Sequence, residues 1–367
     1  MTGPTVAIDV GSLHGPQTGV GQFVGRLLAG LSALDDPPAM RPYVLSFRAE
    51  LSPGVRRLRW PAMAALQAWG RSDHPTADRA LAGSDVVHGP NYIVPPSRLP
   101  TVVSVHDCWF LQRPEQVGGA VQHFGAVLRR AVRRGVTVHV PSHHTAEQVR
   151  ELLGAERVAV VPLGSPSLLP PGPPIHLAGL DGRPYILALG AKEPRKNLPR
   201  LVDAFGLLHR RQPDLALVLL GPEGPDQHHI DAAIARQPRD AADQILMIDY
   251  DTDDDRHAIL HGAAVLAYPS LDEGFGYSAL EAMAAGVPVV AADAGSLPEV
   301  CGDAALLVNP RNPSAMADAL ETAVTDESVR AELVSKGHEQ TERFSVARSA
   351  TGMAALYRQL VAEGPAS

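Results

Sequence analysis

The chain alternates short apolar, β-branched runs with alanine-rich amphipathic stretches, and it does so in two successive series. In the first series strands are predicted at Thr5–Asp9, 43–47, 86–88, 101–105, 136–140 and 158–162, with helices between them at positions such as 21–33 and 120–134. Alternation of this kind demands a parallel sheet covered by helices on both faces. Residues 165–184 then hold six prolines and three glycines, which sustain neither a helix nor a central strand. The second series follows, with strands at Tyr185–Leu189, 215–220, 244–248, 263–268, 287–291 and 305–308. The expected fold is therefore α/β, with two doubly wound, Rossmann-like domains facing a central cleft and a break near residue 175. A length of 367 residues suits two such domains.

Composition narrows the function. With 45% hydrophobic and 20% charged residues the chain is too apolar for a disordered one. A net charge of −8 removes the basic footprint that binding to nucleic acid needs. Two cysteines, Cys108 and Cys301, make no disulfide framework and point to a reducing cytoplasm. The start, MTGPTVAIDV, reads as a strand rather than a signal peptide, and no apolar run has the length of a membrane span.

Two segments carry chemistry. In SLDEGFGYSALEAMAAGVPVV, residues 270–290, Glu273 and Glu281 stand eight positions apart with Gly274 and Gly276 between. Ser278 and Glu281 fit a capping box, so a helix is expected from Ser278 towards Gly286. Its N-terminus would make an anion site. Taken alone, Glu281 fits a helix cap and Glu273 an ordinary loop carboxylate equally well. In LGAKEPRKNLPRLVDAF, residues 189–205, a strand ends at Gly190 and Asn197 is expected to cap the next helix. Lys192, Arg195 and Lys196 fill the loop between. Only three lysines occur in the whole chain, and two are here. Cations at the carboxyl end of a parallel strand suit a diphosphate, and a solvated loop is the plainer alternative.

These residues resemble the family-4 retaining glycosyltransferases, which have the GT-B fold. The family's E-x7-E motif is matched by EGFGYSALEAMAAGVPVV, and its EPRKN motif by Glu193 to Asn197. The likeness continues through AADAGSLPEVCGDAALLVNP at 291–310. In the first half it runs through TGVG (18–21), DVVHGPNYIVPP (85–96), TVVSVHDCWFL (101–111), VPSHHTAEQV (140–149) and VVPLG (160–164). The resemblance implies an acceptor-side domain over 1–165, completed by a C-terminal helix at 346–363, a linker at 166–184 and a nucleotide-sugar domain at 185–345. It implies that Arg195 and Lys196 hold the donor diphosphate, that the helix start Ser278–Ala279–Leu280 receives phosphate with Tyr277 also in the donor site, that Glu281 holds the ribose hydroxyls, and that Glu273 contacts sugar hydroxyls near the anomeric carbon. Gly19, Gly21, Gly190, Gly274, Phe275, Gly276 and Tyr250 are read as the rest of the donor site. His106, beside Asp107, is read as catalytic; the residues alone fit a satisfied structural histidine as well. Two positions depart from the pattern: Ala191 follows Gly190 where relatives have arginine, and Asp249 with Tyr250 replaces a glycine near the base pocket.

The expected activity is transfer of a hexose from a nucleotide diphosphate to a carbohydrate, lipid-linked or natural-product acceptor, with no metal and no cofactor. The donor is read as GDP-mannose, with rhamnosyl and glucosyl donors close behind. A glycoside hydrolase using Glu273 and Glu281 competes with this reading, as does an inactive sugar-nucleotide-binding subunit. Four features lie outside it. The cluster Asp251, Asp253, Asp254 and Asp255 lacks the glycine and distal glutamate of a calcium loop. His143–His144 and His228–His229 lack metal spacing. Gly19-Val20-Gly21 is a poor dinucleotide fingerprint. Arg129, Arg130, Arg133 and Arg134 line one helix, as a solvated face or a peripheral membrane contact.

Overall fold

Both series of the alternation form parallel sheets in the computed structural model, which describes residues 3–14, 19–46, 51–165, 179–180, 182–249 and 252–365. Most of the proline-rich stretch at 166–184 and the whole of position 250 lie outside those residues. The chain divides into unit 1, Met1–Gly164 with Phe344–Ser367, and unit 2, Ser165–Arg343.

Unit 1 begins β1 (Thr5–Asp9), α1 (Gly19–Ser32), β2 (Ala39–Leu45), β3 (Arg56–Leu58) and α2 (Ala62–Trp69). It continues β4 (Val86–Gly89), β5 (Thr101–Ser104), α3 (Trp109–Gln112), α4 (Val121–Arg133), β6 (Thr137–Val140), α5 (His143–Leu153) and β7 (Val158–Val160). The sheet order is β3-β2-β1-β4-β5-β6-β7, so the winding reverses between β1 and β4. Unit 2 begins β8 (Tyr185–Leu189), α6 (Leu198–His209), β9 (Ala216–Leu220), α7 (Gln227–Ala235), α8 (Arg239–Ala242), β10 (Ile245–Ile248) and α9 (Asp253–His261). There follow β11 (Val265–Tyr268), α10 (Tyr277–Ala284), β12 (Val289–Ala292), α11 (Leu297–Cys301), β13 (Leu306–Val308), α12 (Pro313–Thr325) and α13 (Glu327–Arg343). Its order is β10-β9-β8-β11-β12-β13, and the winding reverses between β8 and β11. The last helix, α14 (Val346–Glu363), belongs to unit 1.

Central strands such as β8 and β9 are buried at every position, as a sheet covered on both faces requires. Edge strand β10 keeps Met247 exposed. Two strands differ from the sequence pattern. Tyr43–Leu45 of the 43–47 run is the end of a longer β2, position 47 lies outside the described residues, and Pro42 is accommodated because β2 pairs with β3 only from Tyr43 onward. β3 holds two arginines in three residues and shows no apolar alternation, so only its pairing makes it a strand.

A hydrogen-bonded chain fastens α14 to the unit 1 sheet. The Val161 carbonyl can only accept, which puts the His139 proton on Nε2 (2.9 Å) and leaves Nδ1 to accept from Ser104 Oγ (2.8 Å). Ser104 Oγ then accepts from His88 Nε2, and Tyr357 donates to His88 Nδ1, each at 2.8 Å. Every member is satisfied with both imidazoles neutral. Burial holds the His139 pKa down to about 4 and His88 well below its usual value. α14 also lies close on α1, where a Cβ at Gly30 would stand 2.8 Å from Val346 Cγ1.

Candidate active site

Ligands of doubly wound sheets bind beyond the carboxyl ends of the strands at the point of reversal. In unit 2 that point lies between β8 and β11, and both chemical segments emerge there. β8 ends in Gly190 at φ 135°, where a Cβ would meet Lys196 Cε at 3.3 Å. The chain then turns inward. Lys192 is buried and donates from Nζ to the Gly221 carbonyl at 2.6 Å, so it serves as an internal tie. A 3-10 turn over Pro194–Lys196 presents the two other cations. Asn197 sits in the left-handed region at φ 56° and does not cap α6. Its Nδ2 instead donates to the carbonyls of Pro269 and Pro310, which pins the turn to the loop after β11. Leu271 N–H donates to the Arg195 carbonyl across the same junction.

Glu273 gathers this cluster. Its Oε2 accepts from Arg195 Nη1 at 2.7 Å, and its Oε1 accepts from Lys196 Nζ at 2.6 Å and from Ser270 Oγ at 2.7 Å. Arg195 Nε also donates to Glu193. Burial works to raise the Glu273 pKa, but the charges of Arg195 and Lys196 outweigh it and hold the carboxyl at about 2. Burial lowers the Lys196 pKa, and Glu273 opposes that fall. The Lys196 ammonium lies 5.0 Å from the centre of the Tyr268 ring. From behind, Gly295 packs on the Glu273 backbone, where a Cβ would stand 2.6 Å from its nitrogen, and Ser296 N–H donates to its carbonyl.

The helix expected to carry a Ser278 cap has its N-cap two residues earlier. Gly276, at φ 105°, is the N-cap of α10, and no side chain caps the helix. A Cβ at Gly276 would lie 2.8 Å from Leu297 Cδ2, so the turn needs glycine twice over. The expected capping box does not form, because Ser278 lies within the first turn and Glu281 is drawn into the interior. Glu281 is fully buried and meets the two terminal nitrogens of Arg256, on α9, as a bidentate pair. The side chains of Phe275, Ala279 and Leu280 are buried, and the Ala279 and Leu280 N–H groups point to the Gly276 carbonyl. Tyr277 and Ser278 are half-buried at the helix start. Tyr250 lies outside the described residues.

The remaining expected site residues belong to unit 1. Gly19 and Gly21 form the first turn of α1 rather than a loop. His106 follows β5 and donates from Nε2 to the Pro90 carbonyl at 2.7 Å, which leaves Nδ1 as an acceptor. Burial lowers its pKa, so it is a neutral imidazole. Asp107 accepts from the Tyr92 hydroxyl and the Trp109 N–H. Tyr92, whose ring meets His106 edge-on, holds φ 59°, a costly conformation for a bulky residue.

Sequence reasoning missed Ser270, Tyr268, Gly295, Tyr92 and Arg256. Arg256 left a signal: it shares a helical face with the buried Ile259 and Leu260, where a lone charge demands a partner. Of the three arginines of α4 and its C-cap Arg134, Arg130 and Arg134 both bind Asp73, while Arg129 and Arg133 are exposed. After β10, Thr252 caps α9 by accepting from Asp255 N–H, and Asp251 lies outside the described residues. Among the described residues no group of three or more His, Cys, Asp or Glu is placed to hold a metal ion. No helix among them is long and apolar enough to cross a membrane.

Two family descriptions match consecutive parts of the chain: "Glycosyltransferase Family 4" over residues 18–165 and "Glycosyl transferases group 1" over residues 178–340. The O-antigen chain mannosyltransferase B of Escherichia coli is 28% identical over 307 residues, which cover 80% of this chain and 77% of that protein. A serotype-specific mannosyltransferase, WbdA, of the same species is 34% identical over 167 residues, 45% of this chain and only 20% of that protein. Among solved structures, sucrose-phosphate synthase from Thermosynechococcus elongatus superposes with a TM-score of 0.75 at 20% identity, covering 98% of this chain and 100% of that one. That likeness establishes the fold, which is GT-B.

Proposed function

As the chain belongs to the family-4 glycosyltransferases, we propose that it transfers a sugar from a nucleoside-diphosphate donor to a hydroxyl of a carbohydrate, lipid-linked or small-molecule acceptor, with retention at the anomeric carbon. One observation carries the mechanism. Glu273, Arg195 and Lys196 are locked together at the strand reversal of unit 2, beside the uncapped start of α10. A departing diphosphate gains negative charge, and fixed, poorly hydrated cations stabilise that charge more than water does. Arg195 and Lys196 supply the cations, and the α10 N-terminus adds its dipole. Glu273 holds both cations in place. As the diphosphate engages them, its carboxylate is left for the sugar hydroxyls. Glu281 binds the ribose hydroxyls while Arg256 fixes its orientation. The leaving phosphate receives the acceptor proton on the same face, which gives retention.

The hydrolase alternative fares worse on the same geometry. A glycosidase pair needs one carboxyl protonated near neutral pH. Glu273 is held ionised with both oxygens engaged by Arg195, Lys196 and Ser270, and a hydrolase has no use for the two cations. For the donor we favour GDP-mannose, since two of the relatives are named as mannosyltransferases. The two cysteines are free and buried, which suits a reaction in the cytoplasm.

Thermal-shift measurements with UDP, GDP, ADP and dTDP, with and without magnesium, test the reading. Stabilisation by GDP without magnesium is the expected result. Stabilisation by UDP alone would overturn the mannosyl donor, and stabilisation by none would overturn the donor site.

A further inference from the structure

Unit 1 has its own strand reversal, between β1 and β4, and it carries a carboxylate to which the reaction above gives no work. Asp9 is the last residue of β1. It pairs with Tyr43 of β2, so the two side chains share a face of the sheet. Oδ1 of Asp9 accepts from the Gly11 N–H at 2.7 Å, and among the described residues Oδ2 accepts from none. The Tyr43 hydroxyl is buried and, among the described residues, has no hydrogen-bond partner, so it does not serve the carboxylate. On the other flank Ile8 pairs with His88, and the next residue of β4 is Gly89. There the Ile93 carbonyl comes so near that a Cβ would stand 1.8 Å from it. His88 lies beside Ile8, on the opposite face from Asp9, and is neutral. Among the described residues no cation pairs with Asp9.

Asp9 is nonetheless only half-buried, so solvent or a ligand reaches it. Burial pushes its pKa up to about 6, against the single backbone hydrogen bond that lowers it. Asparagine would make the same turn with Gly11 without that cost. An ionised carboxylate with one oxygen unserved is a receptor for hydroxyl groups, which sugars offer in pairs.

We propose that Asp9 is an acceptor-binding residue: its Oδ2, at the carboxyl end of β1, takes a hydrogen bond from a hydroxyl of a hexopyranoside acceptor. The assignment rests on the transferase reading and names a residue for the acceptor side expected in unit 1.

The probe is methyl α-D-mannopyranoside, followed by saturation-transfer NMR at neutral pH on the full chain and on Asp9→Asn. Nucleoside-diphosphate binding is titrated in parallel. Wild type is expected to bind the glycoside and the variant to lose about tenfold or more in affinity, the loss of one hydrogen bond to a charged group. Nucleotide affinity is expected to stay within about twofold, because Asp9 makes no hydrogen bond or ion pair with Arg195, Lys196 or Glu273. Melting temperature gives a second readout. The raised pKa means that ionised Asp9 costs stability above its unfolded pKa, so Asp9→Asn raises the melting temperature at neutral pH and the gain vanishes by about pH 4. A purely structural carboxylate would give a lower melting temperature instead. Equal glycoside binding by both proteins, no glycoside binding by wild type, or a lower melting temperature for the variant overturns the proposal. Failure of wild type to bind any nucleoside diphosphate overturns the transferase reading itself, which separates the two.

Discussion

Replacing Glu273 by glutamine tests the central cluster most directly. The amide keeps the volume and can still accept from Ser270, but it removes the charge that Arg195 and Lys196 share. In the folded protein the carboxyl titrates at about 2, against an ordinary 4.5. At about 1.4 kcal/mol per pKa unit, that fall corresponds to about 3 kcal/mol of stability. Glu273 is 7% exposed, so little screening reduces the figure. It agrees with the about 3–5 kcal/mol lost when one partner of a buried ion pair is removed. The sign follows from linkage. A lowered folded pKa gives stability that is present above 4.5 and is lost as pH falls through about 2. Urea unfolding followed by far-UV circular dichroism is therefore expected to show Glu273→Gln less stable by about 3 kcal/mol at neutral pH, with the gap narrowing below about pH 4.5. A gap under about 1 kcal/mol at neutral pH would mean an exposed, screened pair and would refute the argument.

The same variant separates two roles of the carboxylate. If Glu273 holds the cations for the diphosphate, its removal leaves Arg195 and Lys196 available, and nucleoside diphosphate binds at least as tightly as to wild type while sugar transfer falls. Glu273 also opposes the burial that lowers the Lys196 pKa. Without it Lys196 loses its proton at a lower pH, so the variant's nucleotide binding weakens on the alkaline side sooner than that of wild type. Loss of nucleotide binding at neutral pH would refute the exchange of partners.

Three further outcomes are expected. Lys196→Ala weakens nucleoside-diphosphate binding by about tenfold or more, as a charge-assisted hydrogen bond of about 1.5–3 kcal/mol requires, and unchanged affinity in calorimetry would remove Lys196 from the site. Gly276→Ala forces alanine to φ 105° with its Cβ 2.8 Å from Leu297, and costs about 1–3 kcal/mol in chemical unfolding; an unchanged midpoint would contradict that strain. Tyr357→Phe strips the donor from His88 Nδ1, costs about 1–3 kcal/mol, and speeds hydrogen exchange along α14, whereas wild-type exchange rates would show that the buried chain does not hold the helix.

The alternation of apolar runs was enough to read the buried strands of both sheets, because strands covered on both faces leave no ambiguity in β8, β9 or β6. β3 was illegible for the opposite reason: Arg56 and Arg57 are edge residues with no apolar face, and pairing with β2 alone defines them. The N-cap of α10 was misplaced by two residues because Ser278 and Glu281 have capping spacing. Spacing along a helix says nothing of a third residue that competes for the carboxylate. Arg256 does so with two nitrogens, and a guanidinium outbids a backbone N–H.

That competition explains which parts of the site a sequence can disclose. Arg195, Lys196 and Glu273 were legible as separate features of two loops, yet their joining depends on β8 and β11 being neighbours in the sheet, about 80 residues apart in sequence. Lys192 looked like a third member of the same cation group. The tight approach of Gly221 and Gly224 to residues 190–192 turns it inward instead. Local sequence names the charges, and sheet order decides which of them meet. Where a buried carboxylate has met its cations, as Glu273 and Glu281 have, the pairing stabilises the unit on its own. Where one has met only a backbone N–H, as Asp9 has, the fold bears a charge that costs stability. A fold that retains such a group at a strand reversal, when asparagine would close the same turn, has that position set by something other than stability. A bound hydroxyl is the simplest partner that accounts for it.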